Sequence, residues 1–111
     1  MKSNIVLFFI LINFKAFSQK IFSVDYASQA DINVFVTDYE SQADLKVFKL
    51  DYQSQAKGNK GLWFFVKYQS QAEKKIFFVD YESQSDLKVF FVKYKSKAGW
   101  RKKKKMHLLF K

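Results

Sequence analysis

The chain has 111 residues, with 20 Lys and Arg against 10 Asp and Glu for a net charge of +10, and it contains no Cys and no Pro. That length suits one small domain, and the absence of Cys excludes disulfides, a thiolate metal site and a lipid-anchored export route. The charge is also local: residues 1–18 carry +2, residues 19–98 carry +2 from twelve Lys and ten acids, and residues 99–111 carry +6. The basic character is therefore that of a short tail, not of the whole fold.

The first segment, MKSNIVLFFILINFKAFS, starts with Lys2 and continues with an apolar run from Ile5 to Phe14, broken only by Asn13. Ala16 and Ser18 are small and two apart, as signal-peptide cleavage after Ser18 requires. The run is too short for a bilayer span of roughly 20 residues. A buried strand or an anchor would also use such a run, but the order of charge, apolar core and small residues favours a secretory signal at 1–18. The mature chain is then secreted or periplasmic.

From there a single phrase recurs. Tyr26, Tyr39, Tyr52, Tyr68, Tyr81 and Tyr94 are spaced by 13, except for one step of 16. They sit in DYASQ, DYESQ, DYQSQ, KYQSQ, DYESQ and KYKSK. Each has a Phe four residues before it: Phe22, Phe35, Phe48, Phe64, Phe77 and Phe90. The wider step holds KGNKG, residues 57–61, which divides the repeat into two halves of three units. Residues 34–53 and 76–95 agree at 12 of 20 positions, as after duplication of a triplet.

Within each unit the alternation predicts a strand. Phe35, Thr37 and Tyr39 fall on one face, with Val34, Val36 and Asp38 on the other. The Phe and Tyr positions read as the inward, core-packing face. The second face turns apolar in later units through Phe65, Phe78 and Phe91, so the strands need cover on both sides. Ser-Gln-Ala-Asp reads as the joint, since Ser and Asp side chains can bond nearby backbone. Without Asn-Gly or its like, tight hairpins are disfavoured and bends are expected. The odd repeat length carries a further demand: the apolar register must be reset once per unit by a bulge, a bend or a crossing. A β-solenoid, a trefoil-like barrel and an amyloid-forming repeat are the ordinary alternatives. End caps, three-fold grouping and uncharged units respectively are what they would want.

The run VFxVDYESQADLKVFxVxYxSQA, seen in Phe77 to Gln84 and again in Asp86 to Phe90, and closed by Ala98, Gly99 and Trp100, resembles the 7(1) septoil knot domain. The resemblance covers about residues 20–105. It implies a mainly β chain tied in a knot of seven crossings, with no established biochemical function and no catalytic residues to transfer. Thr37, Ser85 and Lys97 depart from the common phrase.

Candidate chemistry is thin. Asp25, Asp38, Asp51 and Asp80 share a position with Lys67 and Lys93, which argues against metal ligation and for Asp–Lys cross-strand pairs. Ser28, Ser41, Ser54, Ser70, Ser83 and Ser96 would each need a base, and the chain has one His, His107. No catalytic, cofactor or metal residue is expected. The sharpest candidate is Arg101, Lys102, Lys103, Lys104 and Lys105, a run suited to an acidic polysaccharide, an anionic membrane or nucleic acid. The opposing reading is a solvated run followed by MHLLF as a closing strand or loose end. The sequence thus supports a non-enzymatic, monomeric module at 19–105 with a tail at 106–111. Its partner is unidentified, either a protein or an anionic surface.

Overall fold

Each unit turns immediately after its tyrosine. The computed structural model describes residues 19–109. The signal segment expected at 1–18 lies outside that range, as do the last two residues of the tail. Six strands, β1 (Lys20–Ser23), β2 (Ile32–Val36), β3 (Leu45–Lys49), β4 (Leu62–Phe65), β5 (Lys74–Phe78) and β6 (Leu87–Phe91), stop three residues before their tyrosines. Each tyrosine has extended backbone and its carbonyl accepts the N–H three residues on, at 2.9–3.1 Å, from Gln29, Gln42, Gln55, Gln71, Gln84 or Lys97. The result is a single 3-10 turn, which needs neither Gly nor Pro because every φ in it is negative. A seventh strand, β7 (Gly99–Trp100), follows the last unit.

All pairings among β1 to β6 are parallel, in the order β4-β1-β5-β2-β6-β3, and β3 returns to β4 to close a barrel. Strands from the two halves of the repeat alternate: β5 lies between β1 and β2, and β6 between β2 and β3. Parallel strands normally need a crossover of a dozen or more residues. Here only Val24 to Asp31 separates β1 from β2. The stagger makes this possible. Ser23 stands beside Ile76, and Ile76 beside Ile32. The end of β1 is thus level with the start of β2, two strand spacings or about 10 Å away. The chain steps sideways over β5 and never has to travel back down a strand. Four of the turns accordingly pack over the intervening strand, those of units 1, 4, 5 and 6 lying on β5, β1, β2 and β3.

The interior is aliphatic. Ile21, Ile32, Val34, Leu45, Val47, Ile76, Leu87 and Val89 are buried around Trp63, at five and seven residues before the tyrosines. This corrects the expected faces. The six tyrosines are 65–68% exposed, and the phenylalanines four residues before them are half-buried and outside the barrel core, with Phe48 and Phe64 packed on a smaller cluster of Leu50, Ala56 and Leu62. Phe65, Phe78 and Phe91, on the second face, are the ones that pack against the barrel core. The alternation misleads because both alternating sets are apolar within the strand, and the inward set is that of Val34, not that of Phe35; Tyr39 lies past the strand end, on the turn. The required register reset is this turn.

The halves are joined through Gly61. Its φ is +83°, and a Cβ there would lie 2.3 Å from the Lys46 carbonyl oxygen. Its own carbonyl accepts the Phe48 N–H at 2.8 Å.

The face assignment is tested by a pair of truncations. Leu45→Ala is expected to lower unfolding free energy by about 2–5 kcal/mol. Tyr39→Ala should change it by less than about 0.5 kcal/mol. Urea titration of both proteins decides which face is the core.

Candidate functional site

The aspartate just before each of β2, β3 and β6 has a structural duty. The Asp44 N–H donates to the Lys88 carbonyl at 2.7 Å, and its carboxylate accepts the Lys88 N–H at 2.8 Å. Asp31 does the same to Lys75, and Asp86 to Asn33. Each aspartate therefore prolongs the parallel ladder with a side-chain oxygen where a carbonyl would otherwise be. The expectation of a local turn bond is replaced by a clamp on the next strand.

Asp44 is fully buried, and the basic run gathers on it. The N–H groups of Arg101 and Lys102 both donate to its backbone carbonyl, at 2.8 and 3.0 Å. Lys105 Nζ lies 3.2 Å from Oδ2, and Lys102 Nζ lies 3.7 Å from Oδ1. The Arg101 guanidinium donates to the carbonyls of Ser41 and Ala43 at 2.7 and 3.0 Å. Of the five candidate anion-binding residues, the fold thus engages Arg101, Lys102 and Lys105. Lys103 and Lys104 are exposed, and their ammonium groups make no hydrogen bond or ion pair among the described residues.

Beyond them, Lys103–Leu108 forms a 3-10 turn. Leu109 enters the core cluster, and Trp100 and Leu108 pack against it. A polar chain fixes this end. The buried Trp63 Nε1 donates to Gln19 Oε1 at 2.9 Å, and Gln19 Nε2 donates to Asn59 Oδ1 at 3.1 Å. Asn59 donates to the Met106 carbonyl, and Trp100 Nε1 donates to the Asn59 carbonyl at 2.9 Å. The tail segment is a plug, neither a strand nor a loose end. Asn59 and Gln19 were not singled out from sequence, and the only signal for Asn59 was its place between two glycines.

The remaining sequence candidates stay apart. Asp25, Asp38, Asp51, Asp80, Lys67 and Lys93 are exposed on the turns and make no ion pair among the described residues. The expected cross-strand pairing fails because these positions lie beyond the strand ends. Lys46–Glu40 at 3.5 Å and Lys88–Glu82 at 3.1 Å pair instead. The six serines are exposed in the middle of the turns. The His107 ring is occupied with the Lys104 carbonyl at 2.9 Å.

The barrel thus presents six similar corners, each with an exposed tyrosine ring. Corners 1, 2, 3 and 5 carry Asp before the tyrosine, and corner 4 carries Lys67. Corner 6 departs most, with Lys93, Lys95 and Lys97 around Tyr94. It borders a groove of about 280 Å³ lined by Phe90, Phe91, Val92, Lys93, Tyr94, Lys97 and Glu40 of corner 2. A second groove, of about 450 Å³, is of mixed charge and is lined by Asp31, Gln69, Ser70, Ala72, Glu73 and Lys75.

Closed parallel pairing of two interleaved halves accompanies a family match: the model of the 7(1) septoil knot domain covers residues 18–101. The chain belongs to the 7(1) septoil knot domain family. No curated protein and no solved structure matches it. The family match stops at Arg101, so the turn that plugs the barrel lies beyond it.

The buried clamp is expected to matter more than its exposed counterparts. Asp44→Ala strands the Lys88 N–H and releases two lysines, and should cost about 1–3 kcal/mol. Asp31→Ala, at an exposed site where water can replace the carboxylate, should cost less than about 1 kcal/mol. Thermal melts of the two variants provide the comparison.

Proposed function

We propose that this septoil knot protein is a non-enzymatic, extracytoplasmic binding module, a durable barrel that holds six tyrosine corners for contact with a partner. The observation that carries this reading is the exposure of the tyrosines. All six are about two-thirds exposed, and no hydroxyl of theirs makes a hydrogen bond among the described residues. The fold does not use these side chains, yet the repeat places one at every corner. Tyrosine offers a large, rigid contact surface with a polar end at low entropic cost, which suits recognition. The apolar N-terminal segment supports export. Among the described residues no repeated serine hydroxyl is hydrogen-bonded to a basic group that could activate it, which supports a non-enzymatic role.

Durability follows from the interleaving. β1 and β2 share no hydrogen bond and meet only through β5, so neither half is a sheet without the other. Closure through β3 and β4 leaves little open edge from which to fray. Opening then requires disengaging many strands together, which slows unfolding. The knot implied by the family would add to this. Pulse proteolysis of the purified protein should show cleavage slower than that of an unknotted β domain of similar size. Cleavage at the same rate removes the durable-scaffold part of the reading.

The contact surface is tested with a variant carrying Ala at Tyr26, Tyr39, Tyr52, Tyr68, Tyr81 and Tyr94. On an array of glycans, peptides and lipids, the parent protein is expected to bind at least one class. The six-alanine variant should lose that binding while keeping its melting temperature within a few degrees. Equal binding by both, or binding by neither, rejects the corners as the contact surface. A second reading, anion binding through the basic tail, is favoured only by the exposure of Lys103 and Lys104, since the other three cations are committed to the fold.

A further inference from the structure

We propose that the sixth corner is a binding site for an acidic saccharide, a uronate or a sulfated sugar, held between Tyr94 and the lysines Lys93, Lys95 and Lys97. The inference rests on the reading of the corners as contact surface and gives one of them a ligand class.

Three observations converge on it. First, unit 6 replaces the Asp, Glu and Gln of DYESQ with lysine at all three places, and every one of these lysines is exposed and without an ion pair among the described residues. A chain segment of 80 residues that is otherwise almost balanced in charge thus gathers three free cations on one turn. Second, this turn borders a real concavity, the groove of about 280 Å³ with Phe90 and Phe91 in its lining. Third, a fourth cation reaches the same aromatic wall: Lys49 Nζ stands 4.7 Å from the Phe91 ring centroid and 5.6 Å from that of Phe65. Glu40 is the one acid in the groove lining, and its carboxylate is turned to Lys46 at 3.5 Å.

The chemistry of the occupant follows. Exposed aromatic rings offer a face to the C–H side of a sugar, while ammonium groups pair with a carboxylate or sulfate. A long continuous polyanion fits less well. Corner 2, which shares the groove through Glu40, also carries Asp38, so the favourable patch ends after one corner. A membrane would want exposed aliphatic side chains beside the cations, and the exposed large apolar residues are the six tyrosines and Val36.

The purified protein would be titrated with heparin-derived oligosaccharides, oligogalacturonate and neutral dextran oligomers, and in parallel with anionic phospholipid vesicles and a single-stranded oligonucleotide. The expected result is binding of one or both acidic saccharides, weakening as salt rises, with none of dextran. The sulfated and uronate probes distinguish the two forms of the ligand. The variant Lys93→Asp, Lys95→Glu, Lys97→Gln restores the residues of unit 5, and should weaken saccharide binding by roughly tenfold or more. Tyr94→Ala should weaken it as well, and Lys103→Gln with Lys104→Gln should not. A double variant, Lys93→Gln with Lys97→Gln, serves if the triple variant melts early. The proposal is overturned if neither acidic saccharide binds or if the corner variants bind as the parent does. It is also overturned if Tyr94→Ala has no effect, if the tail variant alone loses binding, or if vesicles or oligonucleotide bind more tightly than saccharide. If the six-alanine variant loses its array partner while the corner 6 variants leave saccharide binding unchanged, this inference fails and the broader reading stands.

Discussion

Everything in this barrel depends on the stagger between neighbouring strands. Lys20 stands beside Phe64, whose counterpart in the first half is Phe22, so each strand is displaced by two residues against the next. An even step keeps every inward side chain inward around the whole circumference. Each strand also pairs one neighbour with its first residues and the other with its last: β5 meets β1 through Lys74 to Ile76 and β2 through Ile76 to Phe78. With less stagger, a unit of 13 residues could not carry the chain from the end of one parallel strand to the start of another. The aspartate clamp serves the same geometry. It supplies a hydrogen-bond acceptor just before β2, β3 and β6 begin, where the neighbouring strand still has an N–H to satisfy.

Interleaving sets the folding problem. Ile21 lies beside Lys74, and Val34 beside Leu87, so nearly all the ladder joins residues from different halves. Chains dominated by such distant pairings fold slowly, because loop entropy is lost before the contacts form. The KGNKG insertion is where the pattern shifts. The first three strands take alternate places in the barrel, and the extra residues ending in Gly61 move the chain by one place so that the next three fill the gaps. A uniform repeat without that insertion would return β4 to the place of β1. The left-handed Gly61, pressed on the Lys46 carbonyl, is what this change of track looks like locally.

Much of this was legible in the sequence, though not all for the reasons first apparent. The units, the two halves, the β class and the need for a register reset come directly from the spacing of the tyrosines and from an odd period. The choice of inner face was not legible. In VFVTDY both alternating sets are apolar, and only the position of the turn tells which set faces the core. The closure of β3 on β4 could not be read either, because it depends on a stagger that no single strand encodes. At the site level, the basic run looked like a free charged patch because sequence shows charge without showing partners. Asp44 is 57 or more residues from that run, and this one buried carboxylate is the partner of Lys102 and Lys105. The replacement of DYESQ by KYKSK, read from sequence only as a departure at Lys93 and Lys97, lies on open surface beside a groove.

The contrast between Asp44 and the corners explains where function can reside in such a fold. A repeat protein first satisfies its own ladder, and residues that do so are not free to contact anything else. Here the buried valines, leucines and isoleucines, the clamping aspartates and three of the tail cations are all committed in this way. The residues that remain uncommitted are at the turns, outside the strands and past the register reset. They differ from copy to copy in charge while keeping one aromatic ring throughout. A closed barrel with few open edges cannot readily recruit a partner by strand addition. Under the proposed reading, recognition would use side chains projecting from the corners, and variation in their charge would let six similar corners take different ligands.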